Sequence, residues 1–195
     1  MLKRCYYSID NFAFSYSIDK QPPKALDNRH CHDTYEILFV LGGKGKFMIE
    51  GTVFEINPGT LLVIRPFEYH SMQMDESTAY ERFVINFSES HLIDDALELF
   101  RAILDGVEGS GKLYTSGSLS QNILPIFERF ETAESLPENE RSIYVRTLLS
   151  ELMVFLSVSG GEQIAINEGE LGARVIRYLN SNIDKDVSLD KLARR

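Results

Sequence analysis

The chain has 195 residues, 44% of them apolar and 25% charged, a balance that excludes a disordered or collagen-like chain. Asp and Glu number 29 against 20 Lys and Arg, a net charge of −9, so the surface as a whole is not built to coat DNA or an anionic membrane. Cys5 and Cys31 make no disulfide framework. Lys3 and Arg4 are not followed by an apolar stretch, and the longest aliphatic run, Ile37 to Leu41, is far too short to span a bilayer. The cytoplasm is the expected compartment, with no membrane partner.

From Cys5 to about Phe87 the signals are short and strand-like. Cys5–Ile9, Phe12–Ile18, Tyr35–Leu41, Lys46–Glu50, Val53–Ile56, Thr60–Arg65, His70–Met74 and Arg82–Phe87 are rich in Val, Ile, Phe, Tyr and Thr. Gly42-Gly43-Lys44-Gly45, Glu50-Gly51-Thr52 and Asn57-Pro58-Gly59 supply the turns between them. Strands at this density with hairpin links predict an antiparallel sandwich or barrel.

After Ser88 the period becomes helical. Ser90 is placed to cap a helix carrying Leu92, Ile93, Ala96, Leu97, Phe100 and Leu104. Asp105–Ser120 is rich in Gly and Ser and reads as a loop. Leu119, Ile123, Ile126, Phe127 and Phe130 mark a second helix, with a kink expected at Pro125. A third helix, Glu138 to Val158, has apolar residues too widely spread for one stripe, which predicts two packing partners. Its own domain is one and a second copy of the chain is the other. Ile123, Phe127, Tyr144, Leu148, Leu152 and Phe155 are the expected dimerisation residues. A polar link, Ser159–Gly169, leads to a segment with the opposite charge balance. Residues 170–195 hold six Lys/Arg against four Asp/Glu. Leu171, Val175, Leu179 and Ile183 mark one helix there, and Ser188 caps the start of another that reaches Arg195 without a C-cap. The chain therefore reads as ending inside a further domain.

The chemistry concentrates in Arg29-His30-Cys31-His32-Asp33-Thr34-Tyr35-Glu36. In an extended chain His30, His32 and Glu36 share a face with Leu38 and Val40, and Cys31 faces the other way. A glutamate among Ile, Leu, Phe and Val is paired or functional when buried. His70, beyond Pro66-Phe67-Glu68-Tyr69, could reach the same interior across a small barrel. Three imidazoles and a carboxylate suit Fe, Mn, Ni or Zn. They also suit a polar effector pocket, the leading reading, or a hydrogen-bonded structural cluster. Tyr35, Arg65 and Tyr69 lie close by in sequence and are candidate effector contacts.

The spacing His30-x-His32-x(3)-Glu36-x(6)-Gly43 resembles the first cupin motif, and Gly59…Pro66-x(3)-His70 a loose second one. That resemblance implies His30, His32, Glu36 and His70 as metal ligands. The second motif lacks its Pro-x-Gly element and the asparagine usual after its histidine. The stretches Ile49-Glu50-Gly51 and Pro58-Gly59-Thr60-Leu61-Leu62-Val63-Ile64-Arg65-Pro66 resemble, more closely, the sensor domain of AraC/XylS-type transcription regulators. Val187-Ser188-Leu189-Asp190-Lys191-Leu192-Ala193 resembles the opening of that family's helix-turn-helix domain. The resemblance implies an α+β chain: a cupin-like jelly-roll barrel for effector over residues 1–88, dimerisation helices over 89–160, a linker over 161–170, and the start of a DNA-binding domain over 171–195. It implies a small-molecule effector, for which a carbohydrate is the first expectation, a homodimer, and DNA bound through the C-terminal domain, with Arg194 and Arg195 near phosphates in the full-length protein. No enzymatic activity and no required cofactor are expected, a divalent metal being the one candidate. The alternative is a metal-dependent cupin enzyme, a dioxygenase or isomerase, using His30, His32, Glu36 and His70.

Overall fold

The computed structural model describes residues 5–20, 29–49, 52–104, 112–114, 117–159 and 162–163. Eight strands come first: β1 (Cys5–Ile9), β2 (Phe12–Asp19), β3 (Tyr35–Gly42), β4 (Gly45–Ile49), β5 (Thr52–Ile56), β6 (Leu61–Ile64), β7 (His70–Met74) and β8 (Tyr80–Phe87). Two short strands follow later, β9 (Lys112–Tyr114) and β10 (Glu162–Gln163), with three helices, α1 (Asp94–Leu104), α2 (Gly117–Thr132) and α3 (Glu138–Val158). Every pairing between these strands is antiparallel. One sheet runs β1-β2-β8-β3-β6-β9-β10 and the other β5-β4-β7.

Side-chain alternation sorts the two faces of the larger sheet. Ile37 and Phe39 of β3, Phe12 and Phe14 of β2, Phe83, Ile85 and Phe87 of β8, and Leu61 and Val63 of β6 join one buried cluster with the helices. Phe127 of α2 stacks on Phe39 and Phe83, with ring centroids 5.2 and 5.3 Å away. Phe130 stacks on Phe14, and Phe100 of α1 meets Tyr35 edge-on. The opposite face sends Leu38, Val40, Leu62, Ile64 and Tyr80 into a second core shared with Phe47, Ile49, Ile56 and Met74. β3 is covered on both sides, which is why Ile37 to Val40 reads as an unbroken apolar run.

The helical half departs from expectation at its boundaries. Ser88, not Ser90, closes the capping box of a short 3-10 turn at Glu89–His91. Its N–H donates to His91 Nδ1 (3.3 Å), and the chain is extended at Leu92 before α1 begins at Asp94. The expected loop at 105–120 contains β9, and the expected link after Ser159 contains β10, which pairs with β9. Two- and three-residue strands leave no periodicity to read; β9 exists through pairing with β6, and β10 through pairing with β9. α2 runs on through Pro125. The helices expected over 171–195, with Arg194 and Arg195, lie outside the described residues. No helix among the described residues is long and apolar enough to cross a membrane.

Candidate functional site

The histidine segment is not a full strand. It is held at two points by backbone hydrogen bonds. His30 and His70 exchange both N–H···O=C bonds (3.0 and 2.9 Å), and Phe67 N–H donates to the His32 carbonyl (2.7 Å). The turn before β7 is tight. Phe67 sits at φ 63°, the left-handed region that residues other than glycine seldom adopt. Buried Glu68 braces this turn, its Oε2 accepting from Arg65 N–H (2.8 Å). The Glu68 carbonyl accepts from His70 Nδ1 (2.8 Å). That bond fixes the His70 tautomer and leaves Nε2 as the lone-pair nitrogen, buried and without a hydrogen-bond partner.

The result is a cluster of three imidazoles. The His30 and His70 rings are 4.4 Å apart, and His32 lies 5.1 and 5.2 Å from them. One ligand nitrogen from each falls within 4.8 Å of the others. Glu36 sits beside them. Its Oε2 lies 3.2 Å from His32 Nε2 and accepts from Asn86 Nδ2 at 3.2 Å. Burial opposes the charge on Glu36, and the His32 hydrogen bond, the neighbouring imidazoles of His70 and His32, and the Asn86 hydrogen bond together outweigh it, holding the carboxyl below its ordinary range. The same bond to Glu36 raises His32, against the pull of its partial burial. Burial lowers His70 and keeps it neutral near pH 7.

These residues fit a divalent metal through three imidazoles. His70 is neutral, anchored at Nδ1 and open at Nε2, as a metal-ligating histidine must be. Glu36 is not part of that set; its Oε2 is already shared by His32 and Asn86.

Three sequence-predicted contacts lie elsewhere. Tyr35 has the opposite parity to Glu36, so it packs on Phe87 and Phe100 under the helices and donates to Glu89 Oε1 (3.2 Å). Tyr69 alternates with His70 and is exposed. Arg65 is tied through its backbone to the Glu68 brace. Nearness in sequence to His32 and His70 does not bring these side chains into the barrel, because neighbours on an extended chain point to opposite faces. The carbohydrate expectation loses the aromatic residues that supported it.

Strand register supplies contacts that the sequence did not reveal. β8 lies between β2 and β3, and its residues of even number face the second sheet. Asn86 is opposite Glu36 and Ala13, Val84 opposite Leu38 and Ser15, Arg82 opposite Val40 and Ser17, and Tyr80 opposite Asp19. This lines the barrel wall from the histidine end with Glu36 and Asn86, then Ser15, then Ser17 and Arg82. Alternating polar residues in Arg82-Phe83-Val84-Ile85-Asn86 were the available signal.

The expected dimerisation set is mostly internal. Ile123, Phe127, Leu148 and Leu152 are fully buried within the chain's own core. Tyr144 and Phe155 are half-buried against it. The outward apolar residues of α3 are instead Ile143, Val154 and Val158, at 70, 54 and 76% exposure.

Comparison with known proteins agrees with this architecture. Residues 14–153, well over half of the chain, match the AraC-like ligand binding domain family. The HTH-type transcriptional activator RhaS of Mannheimia succiniciproducens is 19% identical over 180 residues, covering 91% of this chain. The chain spans 65% of that relative's length. The crystal structure of the AraC-like transcriptional activator CuxR has the same fold, with a TM-score of 0.56 and 14% identity over 98% of this chain and 68% of CuxR. A cupin protein from Bacteroides fragilis overlaps 44% of this chain and 76% of its own, at 20% identity and a TM-score of 0.37. With a jelly-roll whose outer face is sealed by helices and a family match spanning both, the chain belongs to the AraC-like ligand binding domain family.

Proposed function

We propose that this chain is the sensor and dimerisation portion of a transcription regulator, its barrel over residues 1–88 binding a small polar effector. The observation that carries this reading is the polar wall between the sheets. Glu36, Asn86, Ser15, Ser17 and Arg82 share one face, and every β2 residue on that face is half-buried rather than sealed. A fully sealed core would have apolar groups there. Occupancy acts by favouring one of two arrangements of the DNA-binding domains, which requires different effector affinity in the two. Those domains belong to the full-length protein, with residues 161–170 as linker and Arg194 and Arg195 at the start of the DNA-binding part.

Two copies pair through the helical region 89–160. The exposed Ile143, Val154 and Val158 fall within one narrow arc of α3, which supports it as the seam. The test of the sensor reading is amide mapping by nuclear magnetic resonance during titration with small polar compounds. The expected result is saturable shifts on β2, β3 and β8. Shifts confined to the helices, or to no strand, would overturn it.

The histidine cluster favours a second reading, a metal held by His30, His32 and His70. A metal there would act as a Lewis acid or as a structural tie. Elemental analysis after purification without chelators tests it. About one equivalent of Fe, Mn, Ni or Zn, lost in His70→Ala, is the expected result. Metal below a tenth of an equivalent would contradict it, and a metal with turnover would favour the enzyme alternative.

A further inference from the structure

Two buried hydrogen-bond donor atoms on the barrel face of β8 have no acceptor. Tyr80 is completely buried, yet its Oη makes no hydrogen bond. Arg82 lies two residues along the same face of β8, its guanidinium carbon 4.3 Å from the centre of the Tyr80 ring. Its Nη1 is buried and equally without a partner. The guanidinium makes no ion pair among the described residues, although Glu81 is next to it in sequence. Glu81 points to the other face and accepts from Tyr16 Oη. Native proteins leave only a few such buried groups unsatisfied, and a charged one is the most costly.

The two donors differ in kind and lie together on one face of β8. A guanidinium offers a planar fork of N–H groups, and a phenol offers one O–H. The partner they jointly lack is a pair of acceptor oxygens carrying negative charge. Ser17, opposite Arg82 on β2, adds a third donor at the half-buried margin, and Glu36, whose charge reaches the Tyr80 phenol, is the acidic neighbour that discourages a multiply charged anion. Val40, opposite Arg82 on β3, gives an apolar wall. Four residues of strand separate the Arg82 row from the Asn86 row, about 13 Å.

We propose that the effector is a small organic carboxylate, its carboxylate group received by Arg82 and Tyr80. This rests on the barrel being the effector site, and names the class of molecule it takes. A planar carboxylate matches the guanidinium fork, and burial on one side makes such charge-assisted bonds stronger than in water.

The test uses the whole chain and sodium acetate as minimal probe, against equal sodium chloride. The reporter is the Arg82 side-chain N–H resonance. Acetate is expected to shift it saturably and chloride is not. Arg82→Met is expected to weaken acetate binding about tenfold or more, and Tyr80→Phe about two- to tenfold. Ligand-free Tyr80→Phe is expected to melt no lower than wild type, because the lost hydroxyl had no partner. A merely structural Oη would leave acetate affinity unmoved in that variant. Glucuronate is then compared with glucose, the same ring without the carboxylate, with glucuronate expected to bind more tightly. An Arg82 resonance that ignores acetate, or acetate binding indifferent to both variants, overturns the proposal. Glucose binding on β3 and β8 with Arg82→Met neutral would overturn the carboxylate while keeping the barrel as sensor. Carboxylate binding at Arg82 with no effect on transcription from the full-length protein would do the reverse.

Discussion

Glu36 shows how one side chain can be both legible and misread. Its place among Ile37, Leu38, Phe39 and Val40 marked it as buried and partnered, and it is both. The parity that joined it to His30 and His32 also separates it from Tyr35, which joins the helical side. Arg82 and Asn86 could not be assigned in the same way. They meet Glu36 and Val40 only through the register of β8 on β3, and no local signal records a register between strands some forty residues apart. Tyrosine burial leads to a pH prediction. Burial, reinforced by the neighbouring Glu81 and Glu89, pushes Tyr16 and Tyr35 up to about 12, and burial drives Tyr7 and Tyr80 higher still. A raised acid pKa means the native state holds its proton more tightly. The associated stability is complete below pH ~10, the unfolded tyrosine value, and is lost as pH climbs through the folded values. Spectrophotometric titration should therefore show at least four of the nine tyrosines ionising in a late step, together with loss of near-ultraviolet circular dichroism. All nine ionising before that loss would contradict the burial of these rings.

Among the elements, the strands of the first half were legible almost to the residue, because turn chemistry and alternation are both local. β9 and β10 were not, being too short to carry a period. α3 was found with its true limits, but its faces were assigned by hydrophobicity alone, which cannot tell a core leucine from an exposed valine. The central strand leads to a firm expectation. Phe39 is buried between β6, β8 and α2, so Phe39→Ala should cost about 3–5 kcal/mol in denaturant unfolding. A cost below ~1 kcal/mol would mean that α2 does not seal the sheet. Gly45 opens β4 where it pairs Met74 of β7. An added Cβ there would lie 2.2 Å from the Gln73 carbonyl oxygen and 2.9 Å from Met74 Cα. Backbone cannot yield cheaply, so Gly45→Ala should destabilise by about 1–3 kcal/mol or more. An unchanged midpoint would show that the smaller sheet slips freely.

The molecule as a whole has two cores on one sheet, and they do different work. The helical side is apolar and aromatic, with Phe39, Phe83, Phe127 and Phe130 in one cluster, and provides rigidity. The barrel side mixes apolar residues with Glu36, His70, Asn86 and Arg82, and is where a ligand gains from desolvation. If the seam is α3, replacing Ile143 and Val154 by aspartate should leave the monomer's stability within about 0.5 kcal/mol, since both side chains are already in solvent. Sedimentation should then show dimer converted to monomer; an unchanged dimer would move the seam elsewhere. The central claim, that the barrel is a sensor, is tested most directly by thermal unfolding across a set of sugars, uronates and short carboxylates. A true effector should raise Tm with concentration, adding about 2.7 kcal/mol of stability at a hundredfold excess over Kd, and Arg82→Met or Glu36→Leu should reduce the rise. If no such compound stabilises the protein, or if one does so equally with both side chains removed, the barrel is not the sensor.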